Sequence, residues 1–136
     1  MKNTKSFLLL IIMFLSIVSF AQKRENDYKN LALAHMKSGR YGEAIDLLNK
    51  YITANPRKAD GYNTRGLCFE KRSQYEYAVL DFRRASKLEP NNQEVQRNLN
   101  RIIKIWYPIL EKKIVGYKRE IAIDANKASN YLNIGI

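Results

Sequence analysis

The chain contains few of the residues that carry chemistry in enzymes. Its 136 residues include one cysteine, one histidine and three prolines, and no glycine-rich phosphate loop is present. Cys68 alone cannot form a disulfide within its own chain, so packing must hold the fold together. His35 has no second histidine or cysteine near it in sequence with which to hold a metal ion. No catalytic residue, metal site or cofactor is therefore expected.

The first 21 residues have the composition of a secretory signal peptide. Lys2 and Lys5 precede an apolar run over residues 7–18 that only Ser16 interrupts, and the small residues Ser19 and Ala21 follow. This order of basic, apolar and small segments is typical of a cleaved signal sequence. A retained membrane anchor is the alternative, but the run is shorter than the roughly 20 residues that span a bilayer. We predict export, with cleavage after Ala21.

Basic residues outnumber acidic ones, 24 to 13, which gives a formal net charge of +11. Such a surface favours acidic proteins, anionic lipid or nucleic acid as partners, although many of these charges can simply be solvated. Because exported proteins seldom meet nucleic acid, no nucleic-acid partner is expected. Contact with a membrane is expected only through a partner.

The rest of the chain repeats with a period of 34 residues. Three pairs of like residues have this spacing: Tyr28 and Tyr62, Ala44 and Ala78, Pro56 and Pro90. The period and residue types resemble the tetratricopeptide repeat (TPR), whose pattern is W-x2-L-G-x2-Y, then A-x3-F, then P. Residues 59–92 match this pattern best, with Arg65 in its leucine slot as the departure.

The resemblance implies an all-α fold, a right-handed superhelical TPR solenoid of antiparallel helix pairs. After the signal peptide (1–21), a TPR domain (22–136) would hold repeats at about 25–58, 59–92 and 93–127 and a partial fourth at 128–136. Apolar periodicity and turn residues predict helices over 25–38, 42–54, 59–72, 76–87, 93–106 and 109–122, and a stub from about 128. A turn is predicted at Tyr107-Pro108. Gly66 and Ala78 are predicted to be buried where two helices cross.

In TPR proteins the first helix of each repeat lines a concave groove that binds a partner. Residues 34 positions apart occupy equivalent positions on these helices, and we call the set of such positions the ladder. Some positions of the ladder are basic, others carry an amide or hydroxyl group, and others are apolar. Such groups hold a peptide backbone and its acidic side chains. The alternative is that they are ordinary exposed faces of helices. The predicted groove residues are Lys29, Asn30, Leu33, Lys37, Asn63, Thr64, Leu67, Lys71, Arg97, Asn98 and Arg101.

One TPR subfamily clamps the C-terminal carboxylate of chaperones with a particular set of Lys, Asn and Arg residues. Lys29 fits that set. Four positions depart from it, and they are occupied by Leu33, Thr64, Glu94 and Asn98. We therefore do not predict carboxylate clamping.

The remaining candidate residues have structural interpretations. His35 and Cys68 occupy packing slots of the repeat. Trp106 and Tyr107 are interpreted as core at a helix end, with an aromatic ligand platform as the alternative.

The sequence thus predicts a non-catalytic protein-interaction scaffold in a bacterial cell envelope, binding a peptide or a partner domain. An acidic partner is favoured, and either self-association through the C-terminal end or a mobile C-terminus beyond about Ala125 is also expected. Because the chain stops at Ile136 inside the fourth repeat, the alternative is a truncated N-terminal piece of a larger envelope assembly or outer-membrane protein.

Overall fold

The computed structural model describes the backbone of residues 3–133 and the side chains of residues 6–19 and 27–127. Over this range the secondary structure is entirely helical. The helices are α1 (Asn3–Lys37), α2 (Tyr41–Ala54), α3 (Ala59–Lys71), α4 (Tyr75–Leu88) and α5 (Gln93–Asn133). The all-α fold is confirmed.

Two antiparallel helix pairs, α1 with α2 and α3 with α4, form the body, and the beginning of α5 packs on α4. The predicted bounds of α2, α3 and α4 differ from the observed ones by at most one residue. Helix α1 ends at Lys37, one residue before its predicted end, but it begins at Asn3 and runs without a break past Ala21.

Small residues allow the two helices of the second pair to approach closely. Gly66 on α3 and Ala78 on α4 are both buried, as predicted. A Cβ atom built on Gly66 would lie 2.8 Å from a ring carbon of Phe82, so no side chain fits there without displacing that ring. Phe82 is itself fully buried, and with Ala78, Val79 and Ile102 it joins α4 to α5.

The two turns within the repeats share one hydrogen-bonding geometry. Gly39 and Ser73, which are 34 positions apart, both have left-handed backbone angles, with φ of 73° and 58°. The next residue closes each turn through its amide, which donates to a carbonyl oxygen five residues earlier: Arg40 to His35 and Gln74 to Phe69, each at 2.9 Å. This is a common way to end a helix, and it requires both a left-handed residue and a free N–H group.

The turn predicted at Tyr107-Pro108 is wrong, because α5 continues through Pro108 as one helix. The separate helices 93–106 and 109–122 are therefore a single element. Tyr107 stands 34 residues after Ser73, where a left-handed angle would be needed, and bulky residues rarely adopt one. Pro108 stands where the closing amide should be, and proline has no N–H to donate. The stub predicted from 128 continues α5 as far as Asn133, and Ile134 and Gly135 of the predicted fourth repeat lie outside the described residues.

The apolar run near the N-terminus does not contribute to the core of the helix pairs. Its large side chains are exposed along the whole stretch, from Phe7 at 66% to Val18 at 44%. None of the described helices is both long enough and apolar enough to cross a membrane.

Candidate partner-binding groove

The predicted groove residues lie on α1, α3 and α5, which are neighbours in the fold, and they divide into two groups by burial. Asn63, Thr64 and Asn98 are buried, and Leu67 packs against the core. Lys29 is partly buried. The others are exposed to solvent: Asn30, Leu33, Lys37, Lys71, Arg97 and Arg101.

The buried amides connect α3 to α5. Asn98 Nδ2 donates to Asn63 Oδ1 at 2.9 Å, and Asn63 Nδ2 donates to Glu94 Oε1 at 3.1 Å. Thr64 Oγ1 donates to the carbonyl oxygen of Asp60 at 2.7 Å, within its own helix. These groups satisfy one another, so they hold neighbouring helices in place and are not exposed for a ligand.

Lys29 forms an ion pair with Asp60 and thereby connects α1 to α3. The hydroxyl of Tyr51, which lies in α2, donates to the same carboxylate at 3.2 Å. Burial alone would raise the pKa of Asp60, but the hydrogen bond and positive charge of Lys29, together with the Tyr51 bond, outweigh it and lower that pKa. The ammonium group of Lys29 is therefore already neutralised within the chain.

The bridges between consecutive first helices recur at a separation of 31 residues. Lys29 with Asp60 and Asn63 with Glu94 are equivalent pairs, one repeat apart. The third bridge of this length is bidentate, because Arg101 donates to both carboxylate oxygens of Glu70 at 3.1 and 2.6 Å. The 34-residue period does not identify these bridges, because the two partners of each bridge lie 31 positions apart.

Three cations of the ladder have no such bridge. Lys37, Lys71 and Arg97 are exposed, and none of them makes an ion pair or side-chain hydrogen bond with another described residue. Leu33 lies on the same helix as Lys37, and Leu67 on the same helix as Lys71. The ladder thus offers unneutralised positive charge beside apolar side chains.

A partly buried ion pair explains the departure of Arg65 from the repeat pattern. Its guanidinium donates to both oxygens of Asp81, at 2.8 and 2.7 Å, and to Asn49 Oδ1 at 2.6 Å. The hydrogen bond to Asp81 raises the pKa of Arg65, although burial acts in the opposite direction. Burial raises the pKa of Asp81 despite the charge of Arg65. This pair lies between α3 and α4 and is structural.

The other candidates also have structural surroundings. Cys68 is fully buried, and the loss of solvent raises the pKa of its thiol to about 11, which agrees with its predicted packing role. His35 is half-buried, and its Nδ1 has no hydrogen-bond partner among the described residues. No group of three or more metal-binding side chains occurs within the part of the chain that the structure describes.

Trp106 and Tyr107 differ from each other. Trp106 packs against the cluster around Phe82, with its ring centroid 6.4 Å from that of Tyr75, as predicted for a core residue. Tyr107 is 48% exposed, and its hydroxyl accepts a hydrogen bond from Arg83 at 2.9 Å. The predicted core role therefore holds for Trp106 and is wrong for Tyr107, because α5 continues past it instead of turning back.

Comparison with known sequences identifies the repeat. Residues 28–58 match the family model of the tetratricopeptide repeat. The chain is 34% identical over 96 residues to the DnaJ homolog subfamily C member 7 homolog of Dictyostelium discoideum, an alignment covering 68% of this chain and 18% of that protein. It is 29% identical over 91 residues to a UDP-N-acetylglucosamine–peptide N-acetylglucosaminyltransferase of Giardia intestinalis, covering 67% and 6%. The chain thus spans less than a fifth of either relative.

Solved structures share the fold. The first TPR of Spaghetti (RPAP3) bound to the HSP90 peptide SRMEEVD superposes with a TM-score of 0.56 at 26% identity, over 58% of this chain and 63% of that one. The Arabidopsis OM64 TPR domain gives 0.56 at 28% identity, over 59% and 66%. The second TPR of Spaghetti gives 0.61 at 21% identity, over 70% and 90%, and this likeness supports the fold alone.

Proposed function

We propose that this chain, which has an all-α TPR-type fold and matches the tetratricopeptide-repeat family model over residues 28–58, is a scaffold that binds an acidic, extended protein segment along the face formed by α1, α3 and α5. The chain itself catalyses nothing in this proposal. The partner contributes carboxylates, and the scaffold contributes exposed cations and apolar contacts.

The observation that carries the proposal is that Arg97, which is exposed, makes no ion pair or side-chain hydrogen bond with another described residue. In the two preceding repeats the equivalent residues, Lys29 and Asn63, each contact an acid 31 positions later. Arg97 has no such partner, because α5 continues through Pro108 as one helix and residue 128 lies on the same helix as Arg97 instead of on a neighbouring one. A carboxylate of a bound partner would give Arg97 the contact that Lys29 and Asn63 make within the chain, and guanidinium–carboxylate pairs are geometrically specific.

Lys37 and Lys71 extend the positive charge of this face. They are equivalent residues of α1 and α3, so they present the same charge in two successive repeats. Leu33 and Leu67 lie one helical turn before them. They offer apolar contact to a side chain of the partner that lies between two of its acidic residues. Asn30 is exposed and can donate to and accept from a peptide backbone.

The partner's C-terminal carboxylate is not required for this mode of binding. Thr64 and Asn98, which stand where the clamp subfamily has ligand-binding residues, are buried and already hydrogen-bonded. Glu94 places a carboxylate at a third clamp position. We therefore expect an acidic peptide to bind equally well with a free and with an amidated C-terminus.

Fluorescence anisotropy with labelled acidic peptides tests the proposal. Replacing Lys37, Lys71 and Arg97 together by Ala should weaken binding at least about tenfold, since each charge-assisted contact contributes on the order of 1 kcal/mol. The matched control replaces three exposed cations of second helices, Lys50, Arg84 and Lys87, and should leave the affinity unchanged. Equal losses in both variants would mean a diffuse effect of net charge and would contradict a groove.

The place of action is a separate part of the proposal: the scaffold works in a bacterial cell envelope after export. The sequence of residues 1–21 supports this. The exposure of residues 7–18 also supports it, because the helix pairs do not use that segment in their packing. Mass spectrometry of the protein isolated from the envelope fraction should give an N-terminus at Gln22. An intact N-terminus on protein found only in the cytoplasm would contradict export.

A further inference from the structure

The C-terminal part of α5 extends beyond the helix pairs. Every described residue from Glu111 to Lys127 is exposed. The exposed residues include large apolar side chains, with Ile114 at 44%, Tyr117 at 61% and Ile121 at 69%. Exposed apolar surface of this extent commonly marks an interface.

Five apolar side chains of α5 form one stripe with the spacing of a coiled coil, and the exposed Val115 and Ile123 lie outside it. Tyr107, Leu110, Ile114, Tyr117 and Ile121 follow one another at steps of 3, 4, 3 and 4 residues. This repeat keeps them on the side of the helix that faces a partner helix. Charged residues of both signs border the stripe: Glu111 and Lys118 on one edge, Lys113 and Glu120 on the other.

We propose that two copies of this chain pair through residues 107–124 of α5, running antiparallel. In that arrangement Ile114 packs against Tyr117 of the second copy, and Leu110 against its Ile121. The same register places Glu111 opposite Lys118 of the second copy and Lys113 opposite its Glu120. Twofold symmetry doubles each contact, so all four edge pairs join opposite charges. This inference stands independently of what the groove binds.

The charge pattern selects the antiparallel orientation. In a parallel pair, a residue at the leading edge of one heptad faces the residue five positions later on the partner helix. Lys113 would then face Lys118 of the second copy, which is a repulsive contact. Only the antiparallel pair joins each acid of the stripe's edges to a base.

The ends of the stripe agree with the same register. It places Asp124 opposite Tyr107 of the second copy. In each copy the Tyr107 hydroxyl already accepts a hydrogen bond from Arg83 at 2.9 Å. The Asp124 carboxylate would thus approach a guanidinium, so the one acidic residue in the stripe gains a cation at the interface.

A second copy fits this helix better than a membrane surface does. Helices that lie on anionic lipid carry cations along the edges of their apolar face. Here each edge holds one acid and one base, a pattern that would repel lipid phosphates at two positions. The alternating charges complement those of a second copy of the same helix that runs antiparallel.

Charge reversals in the protein expressed from its full coding sequence test the pairing. Glu111→Lys or Lys118→Glu alone places like charges opposite each other twice and should raise the dimer dissociation constant at least about tenfold, as measured by sedimentation equilibrium. The double variant Glu111→Lys/Lys118→Glu should restore dimerisation, and so should a mixture of the two single variants. Arg119→Glu is the control, because it makes the same charge change on the outer face and should have little effect.

Disulfide trapping tests the orientation. Chains with Glu111→Cys mixed with chains with Lys118→Cys should cross-link in mild oxidant, whereas Lys113→Cys mixed with Lys118→Cys should not. The native Cys68 is fully buried and does not compete. The proposal is overturned if the protein stays monomeric at all concentrations, if single reversals change nothing, if the double reversal fails to rescue, or if only the second mixture cross-links. Binding to anionic vesicles by a strictly monomeric protein would assign the stripe to a lipid surface and also overturn it.

Discussion

At the scale of single residues, Arg65 and Asp81 place a charged pair where the first repeat has two apolar residues. Their equivalents 34 positions earlier are Leu31 and Leu47, both apolar. In the second repeat an ion pair with a nearly buried carboxylate occupies the same place between the helices of a pair. The two charged residues thus depend on each other, because either one alone would leave a charge without its partner between the two helices.

This dependence gives a prediction for the stability of the protein. Asp81→Leu leaves the guanidinium of Arg65 without its buried partner, so the free energy of unfolding should fall by about 3 kcal/mol. The double variant Arg65→Leu/Asp81→Leu places at these positions the two leucines of the first repeat and should come within about 1 kcal/mol of the original protein. Urea unfolding of both single variants and the double variant measures the coupling. Purely additive losses would show that the pair makes no net contribution as a unit.

The burial of individual groove residues could not be predicted from the sequence. The 34-residue step identified which residues are equivalent, but it did not show which of them are engaged within the chain. The sequence indicates ligand-binding groups at Asn63, Thr64 and Asn98, but all three are buried in the structure. Asn98 donates to Asn63, Asn63 donates to Glu94, and Thr64 donates to the carbonyl oxygen of Asp60. Those contacts cross between repeats or depend on the local turn of a helix, and a comparison of aligned positions does not contain them.

At the scale of helices, the sequence predicted α2, α3 and α4 closely because each has clear signals at its ends. Gly39 begins the turn before α2, and Pro56 and Pro90 follow the ends of α2 and α4. The failure at Tyr107-Pro108 has an equally local cause. Proline was interpreted as the start of a new helix, whereas the register shows that it removes the amide on which the two observed turns rely.

The continuous α5 gives a prediction that separates the two interpretations. Within a helix, Pro108 removes one backbone hydrogen bond and crowds the preceding turn, at a cost of roughly 3 kcal/mol. Pro108→Ala should therefore raise the helical signal in circular dichroism and increase the melting temperature. If Pro108 instead began a separate helix after a turn, it would be well placed there. The substitution would then leave both quantities unchanged or lower them.

At the scale of the whole molecule, the two pairs and α5 expose two surfaces with different chemistry. The face of α1, α3 and α5 carries unneutralised cations beside leucines, and the far end of α5 carries a self-complementary apolar stripe. A dimer through α5 would place two such basic faces in one assembly. Two linked faces would bind a partner with two acidic segments more tightly than either face alone.

The general architecture was predictable because repetition makes one local pattern specify the fold several times. The family resemblance indicated that the first helices face a partner, and the structure then reduced the set of available cations to Lys37, Lys71 and Arg97. The sequence did not show which cations of the ladder are neutralised by neighbouring acids. Asp60 and Glu70 neutralise two of the five cations of the ladder, Lys29 and Arg101, and only their positions in three dimensions reveal it.

The central claim is that the first-helix face binds an acidic segment, and an NMR titration tests it most directly. An acidic peptide would be added to the uniformly ¹⁵N-labelled protein and the shift of every assigned amide followed. The account predicts that the largest shifts surround Lys37, Lys71 and Arg97, with little change along the exposed sides of α2 and α4. Shifts concentrated on α2 and α4, or spread evenly over all exposed cations, would contradict it.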